Sequence, residues 1–165
     1  MRGFVVADQN ASTVSWPLAG LGVLLAGAGI YFGLVGLELA PPPSRINGPI
    51  WLSLFIGVVF FSAGIALIVS GATGAYDRAG ELPAETPAWI AAIYSLSGLL
   101  MVCGLAAIGT WVAFGGGERN FSVNGCFSGP VGDGIGRTAF GIGALISWFI
   151  VAVMARAAAK KIFSK

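Results

Sequence analysis

The chain has 165 residues, of which 56% are hydrophobic and only 10% are charged, whereas an ordinary soluble domain has about 25% charged residues. A soluble domain of this size cannot bury that much apolar surface, so the composition excludes one. The net charge of +2 and the scattered basic residues exclude an electrostatic nucleic-acid-binding surface, and we expect no nucleic-acid partner.

Four apolar segments follow one another along the chain, and each is close to the roughly 20 residues that cross a hydrocarbon core. A segment in lipid must satisfy its own backbone hydrogen bonds, so each one is predicted to be a helix. The predicted fold class is an all-α membrane protein, a four-transmembrane-helix up-and-down bundle in one domain over residues 1–165. The predicted spans are residues 16–39, 49–70, 89–114 and 138–157.

The basic residues outside these spans predict the orientation, because Lys and Arg gather on the cytoplasmic side of a membrane. The side that carries both termini has Arg2, Arg78, Arg156, Lys160, Lys161 and Lys165. The other side has only Arg45, Arg119 and Arg137. We therefore expect both termini to be cytoplasmic, residues 115–137 to form an exterior loop, and residues 158–165 to form a basic tail beside anionic lipid of the inner (plasma) membrane.

The chain contains no histidine, which excludes haem ligation by two imidazoles, His-based metal sites and His as a general base. Cys103 falls in the middle of a span and Cys126 in the long loop, so we expect them to be unpaired. No nucleophile and base are paired in the sequence. We therefore predict no catalytic residues, no metal site and no cofactor, and expect that the protein is not an enzyme.

Small residues mark one face of several spans. Gly29 and Gly33 form a GxxxG motif in the first span, Gly57 and Gly64 lie in the second, and Gly141 lies in the fourth. Small residues allow helix backbones to approach closely in lipid, which predicts helix-packing seams at these positions. Such seams join helices within one chain or, alternatively, form the interface with a second copy or a partner.

The long third connector contains the best candidate for a binding site. Glu118 and Arg119 follow the third span, and Arg137 precedes the fourth. If these spans are neighbours, a carboxylate–guanidinium pair between Glu118 and Arg137 would fasten their ends. Alternatively, Arg119 and Arg137 bind an anionic headgroup or a loop of a partner protein.

The same region has a recognisable pattern. The segments WVAFGGGERNFS and GRTAFGIGA resemble a pattern in small four-span bacterial inner-membrane proteins of no established function. The resemblance covers about the last third of the chain. It implies a bacterial inner-membrane protein with four spans, and it implies no activity.

Glu38 is the acidic residue closest to a span interior, at the end of the first span before Pro41. An acid in that place is either an interfacial carboxylate or a proton or cation site.

We expect a small integral membrane protein that acts as an accessory or scaffold subunit of a membrane assembly, with the lipid bilayer and a membrane protein as its partners. The first alternative is a homo-oligomeric transport or channel component, in which Glu38 and span hydroxyls line a path. The second alternative is a membrane enzyme that acts on lipid or quinone.

Overall fold

The computed structural model of the protein describes residues 14–42, 49–75, 80–116 and 130–163, with side chains for residues 132–157 in the last range. These ranges contain four α-helices and no strand. All four helices are long and apolar enough to cross a membrane, which confirms the predicted all-α, four-helix fold class. The helices are α1 (Trp16–Gly36), α2 (Leu52–Thr73), α3 (Ala88–Phe114) and α4 (Pro130–Phe163).

The start of α4 corrects the predicted boundary. The helix begins at Pro130 rather than at residue 138, so residues 130–137 form its first two turns instead of the end of a loop. Proline suits the first turn of a helix, because its fixed φ is helical and its missing N–H would have no partner there. Asp133 in this turn also interacts favourably with the positive end of the helix dipole.

Helices α1 and α2 pack along a glycine-rich seam. A Cβ atom built on Gly22, Gly29 or Gly36 of α1 would meet Ile68, Phe61 or Leu54 of α2, respectively. The number of the partner residue falls by seven whenever that of the glycine rises by seven, so the two helices are antiparallel and keep one register over about four turns.

The four helices form a flat row. Gly57 of α2 contacts α1, whereas Phe55 and Val59 of α2 contact Gly104 of α3. Phe55 and Val59 are each two residues from Gly57, which is about 200° around a helix. Helix α2 therefore has its neighbours on opposite sides.

The same geometry continues through α3. Gly104 faces α2, and Gly109, five residues later and about 140° around the helix, faces Ala144 of α4. No Cα atom of α1 lies within 8 Å of one in α4. Packing therefore occurs in three successive seams, and each helix has sides that no other helix covers.

The exposure of apolar side chains follows from this arrangement. Among the described residues, the bulkiest fully buried side chains are Val35 and Ser62, whereas Leu24 and Phe149 are 72% and 71% exposed. Water would oppose such exposure, since each buried leucine or phenylalanine gains about 1.5–3 kcal/mol. The exposed apolar surface of the row therefore suits the hydrocarbon core of a membrane.

Candidate functional site

Of the predicted site residues Glu118, Arg119 and Arg137, the structure describes Arg137, which lies at the end of the row where α1 and α3 end and α2 and α4 begin. Arg137 donates from Nε to Asp133 Oδ2 at 3.0 Å and from Nη1 to the carbonyl oxygen of Gly115 at 3.2 Å. Gly115 is the C-terminal cap of α3, where a cation is favoured by the helix dipole. Arg137 therefore fastens the start of α4 to the end of α3.

The predicted carboxylate partner of Arg137 was Glu118. Glu118 and Arg119 lie outside the described residues, so their predicted roles stay predictions. Among the described residues, the carboxylate that pairs with Arg137 is that of Asp133, which sequence reasoning missed. Its side chain is 26% exposed and that of Arg137 is 29% exposed, so water only partly screens the pair. The signal was present in the sequence, because an acid four residues before a base pairs on a helical face.

Three of the predicted packing glycines lie at very close approaches between α1 and α2. A Cβ on Gly29 would meet the backbone of Phe61, and a Cβ on Gly64 would meet the backbone of Ala26. A Cβ on Gly57 would lie 2.6 Å from the backbone nitrogen of Gly33. Backbone atoms of a packed helix cannot move aside, so these three positions have no room for a side chain.

Gly33 and Gly141 differ from these three glycines. A Cβ on Gly33 would have no atom within 4 Å, although the Gly33 backbone itself contacts Gly57. A Cβ on Gly141 would lie 3.5 Å from the Cβ of Ala113, an ordinary contact across the α3–α4 seam. The structure therefore places all five glycines beside a seam, but only Gly29, Gly57 and Gly64 must be glycine.

Two further contacts hold α3 at fixed positions in the row. Trp148 of α4 donates from Nε1 to Thr110 Oγ1 at 3.1 Å, and Thr110 donates to the carbonyl oxygen of Ala106 at 2.7 Å. The rings of Trp51 and Trp111 meet edge to face with centroids 5.8 Å apart across the α2–α3 seam. These contacts give the seams specificity beyond small-residue packing.

Glu38 ends α1 in a strained conformation. The N–H of Leu39 donates to Leu34 O at 2.8 Å, and that of Glu38 donates to Val35 O at 3.0 Å. This pattern is a Schellman motif, whose left-handed residue is usually glycine. Here it is Glu38, with φ of 60°, and a side chain in that region costs about 1–2 kcal/mol.

The segment after Glu38 borders an open groove of about 410 Å³. Tyr31 fixes this segment by donating its hydroxyl to Pro41 O at 2.9 Å. The described residues that line the groove are Glu38, Leu39, Ala40, Pro41, Pro42 and Ile50.

Replacement of Glu38 by glycine is expected to raise the free energy of unfolding by about 1 kcal/mol. Glycine removes the left-handed strain and also removes a negative charge from the negative end of the helix dipole. Glu38→Gln keeps the strain and removes only the charge, so it should change the stability much less. Unfolding of both variants by SDS in mixed micelles measures the difference. If the glycine variant is no more stable than the glutamine variant, Glu38 is not strained in the wild type.

The described part of the chain contains no group of three or more His, Cys, Asp or Glu side chains that could hold a metal ion. Cys103 is unpaired and partly buried in the middle of α3, while Cys126 lies outside the described residues.

The length and hydropathy of the four helices indicate a multi-pass α-helical membrane protein. No family model matches the chain, and neither the curated proteins nor the solved structures compared with it include a match. The resemblance to small four-span bacterial inner-membrane proteins therefore stays a prediction.

Proposed function

We propose that the protein is a non-catalytic accessory or scaffold subunit of an assembly in the inner membrane, with both termini in the cytoplasm. The observation that carries the proposal is the flat row. A row of four helices has two uncovered edges, one on α1 and one on α4, which a closed bundle lacks. These edges allow helices of another protein to continue the packing on either side.

The α1 edge is shaped to admit a neighbouring helix. Gly27 is two residues before Gly29 and therefore about 200° around α1 from the α2 seam. A Cβ on Gly27 would meet nothing within 4 Å, and the same is true of Gly20, seven residues earlier. The edge thus repeats the seven-residue glycine spacing that packs α1 against α2.

The α4 edge is aliphatic instead. Val153 is nine residues after Ala144, which is about 180° around α4 from the α3 seam, and it is 51% exposed. Only 11% of the apolar window of α4 is buried, half the 22% found in α1 and α2. Exposed aliphatic side chains on this edge suit packing into the grooves between side chains of a partner helix.

Photo-crosslinking in the native membrane tests this proposal. A photo-reactive residue at Gly27 or Val153 is expected to capture a foreign membrane protein, which purification in mild detergent should recover in a fixed ratio. The matched control is Leu96, which is 55% exposed and points to a broad face of the row, about 80° around α3 from Gly104. Capture of lipid alone from both edges, with a purified monomer, would refute the proposal.

The directions of the outer helices allow a homo-oligomer, which the second candidate, a transport component, requires. Helices α1 and α4 run in opposite directions, so copies placed side by side in the same orientation continue the alternation of helices. Such contacts are head-to-tail, and they close into a ring when the angle between copies permits. Capture of a second copy through both Gly27 and Val153, with ion flux in liposomes that Glu38→Gln reduces, would favour this candidate, whereas absence of flux would remove it.

A further inference from the structure

The residue at the end of α1 is unfavourable for stability in two ways. Glu38 has a left-handed backbone that glycine would adopt without cost, and its negative charge lies at the negative end of the helix dipole. Strain that is kept at one residue points to a role for that side chain. Glutamate contributes a carboxylate here that glycine cannot contribute.

The Glu38 carboxylate has no partner in the described part of the chain. The ion pair in that part joins Arg137 to Asp133. Glu38 is exposed and lines the groove described above. Two of the residues that line the groove, Pro41 and Pro42, have carbonyl oxygens but no N–H groups. An exposed carboxylate at the edge of a groove suits a ligand with a positive charge and N–H donors.

The surroundings of Glu38 indicate that this ligand comes from the membrane. Leu37 and Leu39 flank Glu38 and are 57% and 73% exposed, and the apolar window of α1 ends at Gly36. Ile50, which also lines the groove, is exposed as well. Apolar side chains around a charge at the end of a span place the groove at the boundary between acyl chains and headgroups.

We propose that this groove binds the ammonium group of a lipid with a primary-amine headgroup, and that Glu38 is its ion-pair partner. The ammonium donates hydrogen bonds to the carboxylate and to carbonyl oxygens of the groove. The acyl chains of the same lipid lie against the exposed leucines. This site is separate from the helix edges of the proposed function, so either proposal can fail without the other.

The test uses the purified full-length protein with phosphatidylethanolamine, phosphatidylcholine or phosphatidylglycerol in mixed micelles. The first two lipids have the same net charge, but the choline group has no N–H donor, and the third is anionic. Lipid retained in native mass spectra and the thermal midpoint are measured for the wild type, Glu38→Gln and Glu38→Gly. Glu85→Gln, at an exposed acid of the opposite end of the row, is the matched control.

The wild type and Glu85→Gln are expected to prefer phosphatidylethanolamine over phosphatidylcholine by about tenfold, as one charge-assisted hydrogen bond implies. Both Glu38 variants should lose this preference, and Glu38→Gly should do so while folding more stably than the wild type. Equal retention of the two lipids by the wild type would overturn the proposal. Loss of a co-purified protein in Glu38→Gln, with the lipid preference unchanged, would overturn it as well and assign the groove to a protein cation.

Discussion

Addition of one methyl group at Gly57 is expected to destabilise the protein by about 1–3 kcal/mol, the usual cost of overfilling a packed interior. The new Cβ would lie 2.6 Å from the nitrogen of Gly33 and 2.8 Å from the carbonyl oxygen of Gly29. Both are backbone atoms that cannot rotate aside, so α1 must move away from α2. The contacts that its neighbouring turns make with α2 would then be lost.

Gly33→Ala is the matched control, because Gly33 belongs to the facing helix and to the same seam. Its Cβ would meet nothing within 4 Å, and alanine favours a helix over glycine by about 1 kcal/mol. The alanine variant should therefore be at least as stable as the wild type in SDS unfolding titrations. A Gly33→Ala variant as unstable as Gly57→Ala would show that the register of α1 on α2 differs from the one described.

The second large effect is expected for Arg137→Ala, which should lower the free energy of unfolding by about 2 kcal/mol. Alanine removes the hydrogen bonds to Asp133 and Gly115 and leaves a partly buried carboxylate without this guanidinium. Hydrogen bonds to charged groups contribute about 1.5–3 kcal/mol each. The exposure of the two side chains, 29% and 26%, lowers the expected sum through screening by water.

Two control variants separate the parts of this effect. Asp133→Asn removes the ion pair and retains the bond from Arg137 to Gly115, so it should cost less than Arg137→Ala. Arg156→Ala removes an exposed arginine near the other end of the same helix and should have almost no effect. If the Arg137 and Arg156 variants unfold at the same SDS fraction, Arg137 does not fasten α4 to α3.

The helices could be predicted because hydropathy alone indicates a membrane span. The first three begin and end within three residues of the predicted spans. The start of α4 could not be found in this way, because Gly132, Asp133, Gly134 and Arg137 lower the mean hydropathy of a segment that is nonetheless helical. Its helical signals are local: a proline at the first position and an acid–base pair four residues apart.

Sequence could identify the glycines but not which of them contact a facing backbone. Gly29 and Gly33 belong to the same GxxxG motif, yet a Cβ on the first would meet Phe61 and a Cβ on the second would meet nothing. The difference depends on the register of α1 against α2, and each helix carries glycine on more than one face. The strain at Glu38 was also beyond sequence reasoning, because the sequence shows an acid near a proline and gives no sign of a positive φ.

The flat row was not predictable for a related reason. Hydropathy indicates that a helix has an apolar surrounding, but it does not distinguish lipid from another helix. Only the angular separation of the two contacting faces, as between Gly57 and Val59 on α2, shows whether helices surround a centre or continue in a line.

The unequal lengths of the helices have a consequence for the bilayer itself. Helix α1 has 21 residues and is about 32 Å long, close to the hydrocarbon thickness, whereas the 27 residues of α3 extend about 40 Å. Hydrophobic mismatch is relieved by tilting the longer helices or by thickening the lipid around them. Because the α2–α3 seam joins a hairpin whose first helix matches the hydrocarbon thickness to a longer helix, we expect a thinner bilayer to increase the tilt of α3.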